Sequence, residues 1–226
     1  MKKIFSISVI AAFALCMFAN VQVNAQKVKF AGTVKIAVKY EGDTDPQKHV
    51  PAEAVFTIFG NKVKLSQQVY TQILDGDAGT VTILLDFPGN RVGYVIPKED
   101  FLEKQSTVKF TYTKSDETKT ICGYVCTRYD ITAYDIEEDE ETKIVAYTTT
   151  EIGENTNINA FEYPGLTGFP LYTEVESDGV KAIQEIIEVK KTKVKAVDFL
   201  VPSDYKMLTK EEYQELMQQL MGGGRE

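Results

Sequence analysis

The sequence predicts a mainly β fold: a single large curved antiparallel sheet with one α-helix at its C-terminal end. Three observations predict it. Short segments of alternating apolar and polar residues recur along the chain, with the two-residue period of half-buried strands. Between them stand Gly-, Asn- and Asp-rich dipeptides, which accept the positive φ of tight hairpin turns. Only the last stretch before residue 222 changes to a helical period. The chain has 226 residues, 43% hydrophobic and 26% charged, enough apolar material for one core. No linker, low-complexity tract or internal repeat divides it.

The first 25 residues stand outside the predicted fold. Met1, Lys2 and Lys3 make a positive start, residues 4–19 an apolar run, and Val23, Asn24 and Ala25 a small-residue cleavage site. This is the pattern of a secretory signal peptide over residues 1–25. The apolar run is shorter than the ~20 residues of a membrane span, so no integral span is expected after processing. Cys16 follows Leu15, where a lipidation signal wants a small residue. Cleavage removes Lys2 and Lys3 and no acid, leaving the mature chain two charges more negative than the formal −8 of the whole. An acidic chain is poorly matched to phosphate backbones, so nucleic acid is not an expected partner. It also lacks the basic cluster that would hold it to anionic headgroups. Contact with lipid tails needs apolar surface rather than positive charge. The expected location is exported, periplasmic or outer-membrane-associated in an envelope of the Gram-negative type.

Residues 26–226 read as one β-rich domain. Over residues 27–40, Val28, Phe30, Val34, Ile36, Val38 and Tyr40 share one face, against Lys27, Lys29, Thr33, Lys35 and Lys39. Gly32 interrupts the apolar face and marks a bulge or bend. A polar loop over 41–51 holds His49, the sole histidine. A strand over 55–59 turns at Gly60 and Asn61 into a strand over 62–70. After a turn at 75–79 come strands over 81–87 and 91–97, joined at Pro88, Gly89 and Asn90. The next strand carries Val108, Phe110 and Tyr112, and Ser115, Asp116 and Glu117 turn the chain. Residues 120–131 then read as one long interior strand bearing Cys122 and Cys126. The acidic run 136–141 is an exposed hairpin tip before a strand over 144–152. A long Asn- and Gly-rich loop over 153–168, with room for a short helix, holds Phe161, Tyr163 and Leu166 and leads to Phe169. Strands over 171–176, 180–189 and 194–201 follow. Thr209 and Glu212 form a capping box. Tyr213, Leu216, Met217, Leu220 and Met221 make one face of a helix over 210–221, stopped by the glycines at 222–224.

Five segments, FAGTVKI at 30–36, FGNKVKL at 59–65, ETKTICGYVC at 117–126, GFPL at 168–171 and VDFLVPSDY at 197–205, carry a family resemblance. In order and spacing they resemble an uncharacterised family of secreted bacterial proteins, a domain of unknown function, related in shape to the periplasmic lipoprotein carriers (LolA/LolB-like). The resemblance covers residues 30–205. It implies a half-open β-barrel with loops or helices in its mouth; in the carriers the concave face binds acyl chains. Its motifs are structural, and no residue matches a functional motif one to one.

The residues themselves offer no catalytic constellation. With His49 alone, histidine dyads and triads are hard to build. No nucleophile elbow, P-loop or dinucleotide fingerprint occurs. Asp75, Asp77 and the acids at 137–141 have charge without the arrangement of a calcium loop and read as solvated turns, so no metal or cofactor is expected. Four residues along a strand span about 13 Å, beyond the ~7 Å a disulfide allows between Cα atoms. Cys122 and Cys126 therefore read as buried, unpaired thiols. Tyr112, Tyr124, Tyr129, Tyr134 and Tyr147 sit in or beside neighbouring strands. They suit either a sheet core with hydroxyls at its rim or the lining of a concave pocket. The reading that results is a non-enzymatic binding protein. Its partner would be an apolar small molecule, a lipid or an acylated envelope protein, held by Phe110, Tyr112, Tyr129, Tyr147, Phe161, Tyr163, Leu166 and Phe169. In this reading the 153–168 loop gates the mouth and the C-terminal helix packs on the back of the sheet. The alternatives are an envelope interaction module with a self-filled barrel and, third, a hydrolase.

Overall fold

The structure, a computed structural model, describes residues 30–42, 52–67, 69–97, 100, 107–153, 163–177 and 179–222. The signal segment, His49, Phe161 and most of the 153–168 loop lie outside them. On one side of the sheet's centre run β1 (Ala31–Gly42), β2 (Ala52–Phe59), β3 (Lys62–Ser66), β4 (Tyr70–Asp75), β5 (Thr80–Phe87) and β6 (Asn90–Ile96). The chain returns through β7 (Val108–Ile121), β8 (Tyr124–Asp135), β9 (Glu140–Thr149), β10 (Phe169–Ser177) and β11 (Val180–Lys191). A 3-10 turn at Ala196–Phe199, the two-residue β12 (Lys206–Met207) and helix α1 (Lys210–Gly222) complete it.

All twelve strands form one sheet in the order β12-β6-β5-β4-β3-β2-β1-β11-β10-β9-β8-β7. Every pairing is antiparallel except β12 with β6, so the sheet is mixed at that edge rather than wholly antiparallel. Each wing is a chain of hairpins, and the wings meet where β1 pairs with β11. The sheet must curl. Strands β6 and β7 stand ten spacings apart, roughly 48 Å if the sheet were flat. The chain from Ile96 to Val108 reaches at most about 43 Å fully extended. Curvature brings the outer strands back toward the centre, yet β12 and β7 do not pair and the sheet stays open.

The curl is helped by a split. Pairing of β10 with β11 ends at Tyr172 and Glu185. Beyond that point β10 continues only with β9, through a bulge between Pro170 and Tyr172, and β11 continues only with β1. The tip of the β7–β8 hairpin tucks in here: the Cys122 thiol donates to the Ile186 carbonyl at 3.2 Å. Ile121 and Cys126 thereby join Phe30, Val34, Ile58, Leu171 and Ile186 in the main core.

Four expectations about elements are corrected. Residues 120–131 are not one strand: Cys122 (φ 49) and Gly123 (φ 84) form a two-residue turn, with Ile121 opposite Tyr124. The positive φ at both positions is that of a type I′ hairpin. Ser115, Asp116 and Glu117 are no turn but an unpaired bulge within β7, which is the edge strand of the sheet. The stretch 62–70 holds a turn, after which β4 forms an extra strand, while residues 194–201 contain a 3-10 turn in place of a strand.

The C-terminal segment wraps the β6 edge. On the back of the β2–β6 wing, Phe199 packs with Ile73 and Leu84. The Lys64 ammonium lies 5.6 Å from the Phe199 ring and donates to the Asp198 carbonyl at 2.6 Å. β12 then pairs along β6, and α1 crosses to the front, where Tyr213 stacks on Tyr94 with ring centres 4.5 Å apart. Registers put Tyr94, Ile83, Gln72 and Leu65 side by side on that front face. The helix therefore covers the concave face and not the back as expected. A front-side aromatic pair, Tyr94 and Tyr213, decides the matter, together with a back already occupied by Phe199.

Candidate functional site

The concave face holds an open pocket of about 460 Å³. Its floor follows from alternation. On β1, Ile36 and Val38 point into it; on β2, Ala54 and Phe56; on β3, Val63 and Leu65; on β4, Gln72 and Leu74. Every second residue of these strands faces one side, so a sequence that alternates apolar with Lys, Glu and Thr lines the floor with hydrocarbon except at Gln72. The far wall comes from Gln184 and Ile186 of β11 and from residues 169–173 of β10. That wall exists because β10 leaves β11 at Tyr172 and turns Phe169 and Leu171 across the opening. Among the described residues that line the pocket there is no Asp, Glu, Lys, Arg or His. A volume in the 300–1,000 Å³ range and a mainly apolar lining with a few polar groups are the marks of a small-molecule site.

Of the described residues expected to bind ligand, only Phe169 lines this pocket. Phe110, Tyr112, Tyr129, Tyr163 and Leu166 come together, but as a second packed cluster around Ile131, Ile144 and Ala146. Tyr163 meets Phe110 edge-on at 6.5 Å, and the Tyr112 hydroxyl donates to the Pro164 carbonyl at 2.9 Å. Thr148 donates to the Thr167 carbonyl at 2.8 Å, so residues 163–168 are tied down over the β7–β9 wing. Burial pushes the Tyr112 phenol up to about 12. Phe161 lies outside the described residues.

Tyr147 belongs to a polar network instead. Its hydroxyl donates to Glu117 at 2.5 Å, Glu117 accepts from Arg128 at 2.9 Å, and Arg128 also donates to Asp130 at 2.7 Å. The Lys119 ammonium lies over the Tyr172 ring at 4.6 Å and the Tyr147 ring at 5.6 Å. Burial, then the hydrogen bond to Glu174, holds the Tyr172 phenol above its ordinary value. These contacts carry the edge strand β7 across to β9 and β10. They are charged pairs at a partly exposed surface, without a nucleophile placed for attack.

The pocket-lining residues escaped the aromatic criterion because only Phe56, Phe169 and Tyr172 among them are aromatic. The signal that could have found them is Gln72, a polar residue in register with an apolar row, which becomes visible once β4 is recognised as a strand. The two cysteines are free, and Cys122 is exposed rather than buried because it sits in the hairpin turn. Asp75 is used locally: it accepts from the Asp77 and Ala78 amides at 3.1 Å and pairs with Lys62. Among the described residues no three potential metal ligands converge, and no helix is long and apolar enough to cross a membrane.

No family model matches the chain, and no curated protein matches it. Solved structures that match include the crystal structure of LprF from Mycobacterium bovis, 13% identical, covering 77% of this chain and 90% of that one with a TM-score of 0.29. A superposition that loose carries no argument about ligand or activity.

Proposed function

We propose that the protein is a non-enzymatic, exported binding protein that holds the hydrocarbon part of a lipid, an apolar small molecule or an acylated partner in the concave pocket. One observation carries this reading: an open cavity of about 460 Å³ with no charged side chain among the described residues that line it. Among the described lining residues the one ionisable group is the Tyr172 phenol, which burial and Glu174 hold above its ordinary value. Hydrolysis needs a nucleophile with a positioned base in the cleft, and no carboxylate, histidine or lysine stands among the described lining residues to serve as that base. The leader over residues 1–25 supports export to the periplasm or outer-membrane surface. Phe169, on the crossing strand, is the expected site residue that the reading keeps as a ligand contact.

The test is titration of the folded protein with a fluorescent long-chain apolar probe. The wild type should bind with a single class of site. Ala54→Trp, which fills the cavity from β2, should abolish that binding while leaving the circular dichroism spectrum and unfolding midpoint close to wild type. Binding that survives the substitution, or no binding by the folded wild type, would reject the reading.

A further inference from the structure

Three polar side chains are buried among the described residues: Thr148, Thr149 and Thr173, exposed by 4%, 2% and 5%. Two have partners. Thr148 donates to the Thr167 carbonyl at 2.8 Å, and Thr149 accepts from the Glu151 amide at 3.3 Å. Thr173 has no side-chain hydrogen bond to any described residue, and it is the one of the three that lines the pocket. Directly opposite it across the β10–β11 ladder stands Gln184, also in the lining and also without a side-chain partner there. Gln72, on the β4 wall, differs: its side-chain oxygen accepts from the Tyr70 hydroxyl at 3.2 Å.

A buried polar group without a partner is unfavourable, and native proteins keep few of them. Here Thr173 is such a group, and the half-buried Gln184, likewise without a partner, stands directly opposite it in a mainly apolar lining. The Thr173 hydroxyl can donate or accept, and the Gln184 amide brings two further donors. Donors converging without a cation suit a neutral acceptor. A carboxylate or phosphate would lose its hydration and gain no counter-charge from this lining.

We infer that Thr173 and Gln184 form a hydrogen-bonding subsite for the carbonyl of an uncharged acyl ester or amide, so that the ligand is a neutral acyl compound and not a free fatty acid. The inference rests on the pocket being a ligand site. Its chemistry also fits an acyl chain attached to a protein through an ester or amide link.

Competition against the long-chain fluorescent probe at neutral pH separates the two claims. Dodecane tests the pocket; methyl dodecanoate and dodecanoate test the subsite. All three should displace the probe, the methyl ester about fivefold more tightly than dodecane, the gain of one net hydrogen bond, and dodecanoate more weakly than the ester. Thr173→Val, nearly the same shape, should bring the ester to parity with dodecane, whose own affinity should not fall because the alkane no longer covers an unpaired hydroxyl. Thr173→Ser should keep the ester preference. Equal affinity of wild type for ester and alkane, tighter binding of dodecanoate than ester, or an ester preference that survives Thr173→Val would overturn the subsite and leave the pocket standing. Failure of dodecane to displace the probe would remove both.

Discussion

Tyr112, which the sequence suggests as a ligand contact, instead holds the chain to itself. Its hydroxyl donates to the Pro164 carbonyl at 2.9 Å, beneath a segment whose Leu166 is fully buried. Tyr112→Phe should lower stability by about 1 kcal/mol and leave apolar-probe binding unchanged, as read from urea unfolding and the probe titration. The phenol also sets a pH limit. Burial raises it from 10.0 to about 12 in the folded state, so between about pH 10 and pH 12 the unfolded chain releases a proton that the folded chain keeps. Its contribution is complete below pH 10 and is lost as pH rises through about 12. The urea midpoint should fall over that window, and Tyr112→Phe should flatten that part of the decline. The sequence displayed these aromatics plainly, yet a ring that fills a core and a ring that lines a void have the same periodicity. What separates Phe110 from Phe169 is whether residues 163–168 fold back over it, a tertiary fact. The thiols follow the same logic. Cys122 is exposed in a turn, and Cys126 is fully buried with burial pushing its thiol up to about 11. A thiol reagent should therefore label one cysteine in the native protein and the second only after denaturation.

At the level of elements, alternation located most strands and failed where a strand's neighbours decide its ends. The hairpin at Cys122 and Gly123 was hidden because its flanks, Thr120-Ile121 and Tyr124-Val125, are all good strand formers, and a Cys at a positive-φ position is an unusual turn residue. Cys122→Asn supplies the residue that a type I′ turn prefers. It should leave the β7–β8 hairpin intact and abolish native-state labelling. The C-terminal helix was legible down to its cap: the Glu212 amide donates to the Thr209 hydroxyl at 3.2 Å, and the Thr209 amide donates back to Glu212 at 2.9 Å. Thr209→Ala should lower stability by about 1 kcal/mol in thermal or urea unfolding. Its docking face was not legible. Both sides of β5 and β6 carry apolar residues, and the choice depends on Phe199 reaching the back first and on Tyr213 finding Tyr94. Tyr213→Ala, which removes that stack, should lower stability by about 2 kcal/mol and weaken the Lys210–Asp100 ion pair, 2.9 Å long.

For the molecule as a whole, the seam between β1 and β11 joins the wings and supplies two walls of the pocket, Ile36 and Val38 on one strand and Gln184 and Ile186 on the other. Gly32 lies near the closed end of this seam. The sequence marked it as a break in an apolar face and suggested a bulge; the register shift falls later, between Lys35 and Ile36. The reason for glycine is proximity. A Cβ at position 32 would stand 2.1 Å from the Lys190 carbonyl oxygen and 2.9 Å from the Phe30 ring, and the first of these is backbone that cannot rotate aside. Gly32→Ala must therefore push β11 away from β1, at a cost of about 3 kcal/mol of overpacking. The displacement is carried along β11 toward Ile186 and Gln184, so the pocket should lose its shape although position 32 does not line it. Gly93 provides the contrast. A Cβ there would meet the Met207 sulfur at 2.7 Å and the Leu84 side chain at 2.8 Å, both free to adjust, at the β6 edge where β12 and not the pocket is the neighbour. Gly93→Ala should cost less stability and leave apolar-probe affinity near wild type, whereas Gly32→Ala should weaken it severalfold even under conditions where the variant is fully folded. Equal probe affinities in the two variants would mean that the pocket is shaped by side chains alone and not by how closely the two wings approach.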